Sequence, residues 1–136
     1  HVGQVFSIGW SEKIGRCSVY DFDKNLVKKF ENYEVTNEEP GLKSYLKKNY
    51  QKITICKNKE DIKNYNTIFL TIDTPLTLDG RPKVEKIIST LKQAINFIKK
   101  NSNLIITSQV YCGFCDDLKN ATTPQFWFLK SRMTEL

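Results

Sequence analysis

The sequence predicts an α/β fold built on a parallel sheet. Thr67–Ile72 is almost wholly apolar and rich in β-branched residues, as in a strand buried on both faces, and Leu104–Thr107 reads as a second buried strand. From about Lys83 to Lys99 the apolar residues follow helical spacing; they are Val84, Ile87, Ile88, Leu91, Ala94, Ile95 and Ile98. Strand, helix and strand in this order indicate a right-handed crossover between parallel strands.

The first half of the chain shows the same alternation of strands and helices, without internal repeats. Cys17–Tyr20 predicts a short strand, followed by a lysine-rich helix through Asn25–Glu31. Pro40–Leu46 predicts a second helix, with Pro40 accommodated in its first turn. Ile53–Cys56 is another short strand candidate.

Length and composition limit the class of protein. With 136 residues, 40% of them hydrophobic and 26% charged, the chain has the size and composition of one globular domain. No apolar run approaches the roughly 20 residues that cross a bilayer, and the start of the chain lacks a basic leader, so we expect neither a membrane partner nor a secretory signal. The four cysteines form no paired framework, which favours reduced thiols in a cytoplasmic protein.

The net charge of +6 does not indicate a nucleic-acid partner. The lysines are scattered, mostly where helices end or loops begin, and there is no arginine-rich stripe or interleaved aromatic platform. The sequence also gives no reason to expect a metal site.

Polar residues follow three of the apolar strands. These strand ends are Tyr20–Asp23, Ile72–Pro75 and Thr107–Val110. One such end alone would be explained by turn chemistry, but ligands of open parallel sheets bind at the carboxyl ends of strands. The three ends together therefore favour a binding cleft.

Asp21 is the most specific single candidate for a ligand-binding residue. It lies at the end of a strand, 18 positions after Gly3, with a predicted helix between them. A carboxylate placed there accepts hydrogen bonds from both ribose hydroxyls of an adenosine and repels a 2′-phosphate, so NAD rather than NADP is expected. The alternative is that Asp21 caps the helix beginning near Lys24, a role for which Asp23 is better placed.

The chain resembles the nucleotide-sugar dehydrogenases, the UDP-glucose/GDP-mannose dehydrogenase family typified by UDP-glucose 6-dehydrogenase. The resemblance runs from His1 to about Leu118 and rests on five motifs in the family's order. They are His1–Gly3, like the end of a GxGxxG fingerprint; Val19–Asp23, like its acidic strand end; Glu39–Leu42, like its EPGL turn; Phe69–Pro75, like its strand ending in Thr-Pro; and Ser108–Val110, where the family usually has Ser-Thr-Val.

The resemblance implies a Rossmann-like, doubly wound parallel sheet that binds NAD. It places His1, Val2 and Gly3 at the pyrophosphate, Asp21 at the adenosine ribose, Thr74 and Pro75 along the dinucleotide, and Ser108 near the nicotinamide. It implies oxidation of the C6 hydroxyl of a nucleotide sugar such as UDP-glucose in two NAD-dependent steps, in polysaccharide biosynthesis. The sugar would lie against a second domain that this chain lacks, and family members are commonly dimers or larger.

Several positions depart from the family pattern. The strand that opens the fold is missing from the chain. Gln109 stands where the family usually has a threonine implicated in catalysis, Gln125 stands in a Pro-Glu-Phe-like position, and Leu26 occupies the place of a basic residue. We expect residues 1–120 to form a partial NAD-binding domain and 121–136 a closing or linker helix, with Phe126–Leu129 as its apolar face. The family's catalytic cysteine, lysine and aspartate belong to the missing part, so this fragment alone is expected to be inactive.

Two other functions stay open. The glutamines at positions 109 and 125 are compatible with a non-catalytic module that binds a dinucleotide or a nucleotide sugar. Cys112-Gly-Phe-Cys115 has the spacing of a thiol-redox pair. It occupies the place of the family's Pro-Gly turn, however, and the turn alone accounts for Gly113.

Overall fold

The computed structural model describes residues 1–37 and 39–121. Within them the chain forms two compact units, of which the first is His1–Lys59 and the second begins at Glu60. The helix expected for 121–136 lies outside the described residues, apart from Ala121 at its start, and so do Gln125 and the segment Phe126–Leu129.

The first unit contains three α-helices and two strands among its described residues, with a 3₁₀ turn (Tyr50–Lys52) between the last helix and the last strand. In chain order they are α1 (Val2–Lys13), β1 (Cys17–Val19), α2 (Lys24–Glu31), α3 (Leu42–Asn49) and β2 (Ile53–Ile55). Strands β1 and β2 pair in parallel, with Cys17 opposite Ile53. Ile8 of α1, Phe30 of α2 and Leu46 of α3 are buried in one core together with Leu42 and Ile53.

Helix α3 begins later than the sequence predicts. Pro40 is not in its first turn: the helix starts at Leu42, after Gly41, which has a φ of 80°. A residue in this left-handed region cannot belong to a right-handed helix, so Gly41 separates Pro40 from α3. The carbonyl of Gly41 then accepts hydrogen bonds from Tyr45 N (3.0 Å) and from Ser44 Oγ (2.7 Å).

The second unit repeats the strand–helix–strand pattern. Its strands and α-helices are β3 (Thr67–Leu70), α4 (Glu85–Ala94), β4 (Asn103–Ile106) and α5 (Phe114–Ala121). Strands β3 and β4 pair in parallel, with Thr67 opposite Asn103. The core comprises Ile87 and Leu91 of α4, Leu104 and Ile106 of β4, and Phe114, Cys115 and Leu118 of α5. The predicted α/β class with parallel strands is confirmed in both units.

Two details of the second unit differ from the prediction. The apolar stripe of α4 does face the core, but the helix ends at Ala94 and continues only as a 3₁₀ turn, Ile95–Phe97, because Ile98 has extended backbone angles. Strand β3 is not buried on both faces: Thr67 is exposed and the other three residues are half-buried. Among the described residues β3 has a single sheet neighbour, β4.

The strands lie in two two-stranded sheets, β1–β2 and β3–β4. Among the described residues, no helix has the length and apolar character needed to cross a membrane.

Candidate functional site

The turn after β1 holds Asp21 by one of its two carboxylate oxygens. Oδ1 accepts a hydrogen bond from the backbone N–H of Asp23 at 2.8 Å, and the side chain is exposed. Among the described residues, no hydrogen bond reaches Oδ2. Asp23 itself caps α2, since its Oδ1 accepts from Asn25 N at 2.8 Å and Leu26 N at 3.4 Å. The capping role therefore belongs to Asp23, and Asp21 presents an oriented carboxylate oxygen to solvent.

Aromatic and basic side chains stabilise the same turn. The rings of Tyr20 and Phe22 meet edge to face with centroids 5.0 Å apart. The ammonium group of Lys24 lies 5.5 Å from the centre of the Tyr20 ring and donates a hydrogen bond to the carbonyl of Lys57 at 2.8 Å. This hydrogen bond between the start of α2 and the segment after β2 was not predicted, because its partners are 33 residues apart in sequence.

The first turn of α1 is attached to the segment that precedes α3. His1 is the N-cap residue, and its carbonyl accepts from Gln4 N and Val5 N at 3.0 and 3.2 Å. Its ring Nε2 lies 2.6 Å from Glu39 Oε1. The side-chain oxygen of Gln4 accepts from both Thr36 N (2.8 Å) and Thr36 Oγ1 (2.9 Å). Gly3 therefore lies in a helical turn that is held from the side, at the end of a helix that favours anions.

In the second unit, polar side chains at the strand ends bind backbone groups. Ser108 Oγ accepts a hydrogen bond from Ile72 N at 3.0 Å, and Thr107 donates through both its N–H and its Oγ1 to Leu70 O, each at 3.1 Å. The hydroxyl of Thr74 lies 3.4 Å from the Ile72 carbonyl. Since the Ser108 hydroxyl acts as an acceptor here, its own proton stays available for donation.

Pro75 and Gln109 are both exposed in the second unit. The carbonyl of Pro75 accepts from Lys83 N at 2.8 Å, at the base of a hairpin in which Leu76 pairs with Pro82. Gln109 directly follows Ser108 in the sequence.

The two cysteines of the Cys112–Cys115 segment have different environments. Cys112 is exposed, whereas Cys115 is buried in the core of the second unit, and both are free thiols. Gly113 has a φ of 88° and its carbonyl accepts from Asp116 N and Asp117 N, each at 2.9 Å, where α5 begins. Tyr111 OH donates to Asp117 Oδ2 at 2.9 Å, which raises the pKa of Tyr111. Gly113 therefore serves the turn, as predicted from the sequence.

The candidate residues fall into two groups. His1, Val2, Gly3 and Asp21 belong to the first unit, whereas Thr74, Pro75, Ser108 and Gln109 belong to the second. In each unit, candidate residues follow the carboxyl end of a strand, and in the first unit they also include a helix N-terminus. Glu39 and Thr36 were not predicted as members of the site, although the Glu39–Leu42 motif contains the first of them.

Comparison with known protein families gives one match that spans most of the chain. Residues 1–126 match the UDP-glucose/GDP-mannose dehydrogenase family, NAD binding domain. The chain belongs to this family. Its cofactor is accordingly NAD, and the predicted family and cofactor are confirmed.

Solved structures of nucleotide-sugar dehydrogenases share the fold. GDP-mannose dehydrogenase from Pseudomonas aeruginosa is 15% identical, with a TM-score of 0.78 over 96% of this chain. UDP-glucose dehydrogenase from Pyrobaculum islandicum is 16% identical (TM-score 0.79, 99% of this chain), and UDP-D-ManNAc dehydrogenase from Pyrococcus horikoshii is 16% identical (0.80, 98%). The chain spans 33%, 34% and 34% of these three structures. No curated protein sequence matches it.

Proposed function

We propose that this NAD-binding domain serves an enzyme that oxidises the C6 hydroxyl of a nucleotide sugar, of the UDP-glucose to UDP-glucuronate type. Two successive oxidations convert the alcohol first to an aldehyde and then, with the oxygen of one water, to a carboxylate; each passes one hydride to an NAD molecule and releases the accompanying protons. The observation that carries the proposal is Asp21, an exposed carboxylate fixed by one oxygen after a parallel strand. A carboxylate at this place has the charge and the acceptor oxygens to bind the hydroxyls of an adenosine ribose.

The first unit would bind the adenosine and pyrophosphate end of NAD. Asp21 Oδ2 would accept a ribose hydroxyl, while Oδ1 can accept a second one beside the Asp23 N–H. His1, Val2 and Gly3 form the first turn of α1, where the positive end of the helix dipole favours the pyrophosphate. Gly3 adds no side chain, so the backbone can approach the phosphates closely.

The second unit would bind other parts of the cofactor. We propose that Thr74 and Pro75 contact the dinucleotide and that Ser108 lies near the nicotinamide, where its hydroxyl proton is available. Gln109 would position substrate or water through its exposed amide, in place of the family's threonine. An amide does not act as a general base, so the residue that removes the proton would belong to the second domain of the full protein.

A non-catalytic binding module is the second candidate function. It is supported by Gln109, because a neutral amide at this position can hold a nucleotide sugar without taking part in acid–base chemistry. The same Asp21 contacts would then serve NAD binding alone. The two candidates share a cofactor and differ in turnover.

The proposed role is tested with the full-length protein by fluorescence titration with NADH. We expect binding that Asp21→Ala weakens and that Asp79→Ala, which removes a carboxylate from an exposed hairpin, leaves unchanged. Formation of NADH from NAD with UDP-glucose, and separately with GDP-mannose, then identifies the substrate. Absence of NADH binding would refute the proposal, and binding without turnover of any nucleotide sugar would select the non-catalytic module.

The remaining proposals concern the substrate, activity, assembly and location of the full protein. We propose that the sugar nucleotide lies against a second domain, that this chain alone is inactive, and that the full protein forms a homo-oligomer in polysaccharide biosynthesis. A cytoplasmic location is proposed as well, supported by the four free cysteines.

A further inference from the structure

The segment between α2 and α3 contacts the first turn of α1 at two points. Glu39 Oε1 is 2.6 Å from His1 Nε2, and Thr36 donates twice to the Gln4 side chain at 2.8 and 2.9 Å. Because the partners are 38 and 32 residues apart in sequence, these are tertiary contacts. They flank Gly3 on both sides along the helix.

Glu39 is itself attached to a rigid part of the first unit. Its carbonyl accepts a hydrogen bond from Leu42 N at 3.1 Å, and Leu42 is buried in the core at the start of α3. Gly41, which lies between them, has a fixed left-handed conformation. The side chain of Glu39 therefore transmits the position of α3 to the N-terminus of α1.

The charge and the hydrogen bond of Glu39 have opposite effects on an anion at this helix end. The hydrogen bond to His1 orders the turn that faces the pyrophosphate. The negative charge stabilises the empty helix N-terminus but repels a bound phosphate. The two effects can be separated, since glutamine keeps a hydrogen-bonding oxygen and carries no charge.

We propose that Glu39 is a positioning residue for NAD, acting through His1 to hold the first turn of α1 where the pyrophosphate binds. The proposal rests on the proposed function, and it adds a residue that does not touch the cofactor. Its effect on NAD affinity therefore depends on His1 being present.

The test is NADH titration of the full-length protein with substitutions at both positions. Loss of a charge-assisted hydrogen bond that orders the site is expected to weaken binding about fivefold in Glu39→Ala. Glu39→Gln should bind as tightly as the wild type or more tightly. In a His1→Ala background, Glu39→Ala should have no additional effect. Glu34→Ala is the matched control: it removes an equal charge from the same segment, and no described contact joins its side chain to α1.

The outcomes separate this proposal from the proposed function. If Asp21→Ala weakens NADH binding while Glu39→Ala behaves like Glu34→Ala, the positioning role is wrong and the proposed function stands. Additive effects of His1→Ala and Glu39→Ala would also overturn it, as would a Glu39→Gln variant that binds as weakly as Glu39→Ala. If the wild type does not bind NADH, both proposals fail. Circular dichroism of each variant verifies that the fold is retained.

Discussion

The strand ends of the two units use their polar side chains in different ways. After β1, one carboxylate oxygen of Asp21 accepts a hydrogen bond within the local turn, and the residue is exposed. After β4, Thr107 and Ser108 hydrogen-bond the backbone at the end of β3 and in the segment that follows it. In the sequence all of these positions look alike, since each is a polar residue that follows an apolar strand.

The difference indicates which strand ends are available for ligands. A carboxylate that accepts a single hydrogen bond has most of its acceptor capacity left, whereas a hydroxyl that already accepts one has mainly its proton to offer. The first unit therefore has an exposed anionic acceptor at Asp21. The second has a hydroxyl donor at Ser108, which also joins the segments that follow β3 and β4.

The largest effect expected is on cofactor choice at Asp21. Asp21→Asn should weaken NADH binding about tenfold or more, because charge-assisted hydrogen bonds are worth about 1.5–3 kcal/mol. NADPH affinity should stay the same or improve, since a repulsive charge is removed. Titrations with both nucleotides measure the ratio. Equal losses for NADH and NADPH would contradict a role at the 2′ position.

Ser108 is expected to affect stability more than affinity. Ser108→Ala leaves Ile72 N–H without its acceptor and should lower the free energy of unfolding by about 1–2 kcal/mol. Ser108→Thr keeps the hydroxyl and is the matched control. Chemical denaturation of both variants measures the effect. A Ser108→Ala protein of unchanged stability would show that the Ser108 hydroxyl does not accept from Ile72 N–H in solution.

Substitutions at Asp23 test whether the capping of α2 and the binding of NAD are separate roles of Asp23 and Asp21. Asp23→Ala removes the N-cap and should cost about 1 kcal/mol of stability. Asp23→Asn preserves capping and should be near wild type. NADH affinity should change much less than in Asp21→Asn, because Asp23 N–H, which orients Asp21, is kept in both variants. An affinity loss as large as that of Asp21→Asn would show that the two carboxylates act together.

The smallest effect concerns a carboxylate whose oxygens both have protein partners. Glu12 accepts from Lys48 Nζ at 2.9 Å and from Asn49 Nδ2 at 2.6 Å, and these contacts lower its pKa from 4.5. A lowered pKa in the folded state adds stability above the unfolded-state value, and that stability is lost as the pH falls through the folded value. Thermal unfolding of the wild type should therefore be more acid-sensitive than that of Glu12→Gln, with Glu34→Gln as control. Identical acid profiles for the wild type and Glu12→Gln would show that the Glu12 contacts do not contribute to stability.

Periodicity predicted the existence of elements better than their ends. The stripe from Val84 to Ile98 identified α4 and its buried face, because apolar spacing reports on burial. It did not show that the helix ends at Ala94, which depends on the extended conformation of Ile98. The sequence likewise predicted Pro40 inside α3, because the first turn of a helix tolerates proline. The left-handed conformation of Gly41, which excludes Pro40 from the helix, could not be predicted from the sequence.

The N-cap of α2 could be predicted from a single residue, because Asp23 directly precedes the helix. The ribose role of Asp21 stays a prediction. The contacts of Glu39 with His1 and of Lys24 with the Lys57 carbonyl span 38 and 33 residues, so only the fold brings them together. The hydrogen bond from Ile72 N to Ser108 was beyond prediction for the same reason.

The parallel pairing of the strands sets a common requirement for folding. Cys17 pairs with Ile53 and Thr67 with Asn103, a separation of 36 residues in both units. Each pair must close a chain loop of this length before its hydrogen bonds form, and the entropic cost depends mainly on loop length. The two strand pairs therefore face equal closure costs, and the order in which they assemble depends on how early their intervening helices collapse onto them.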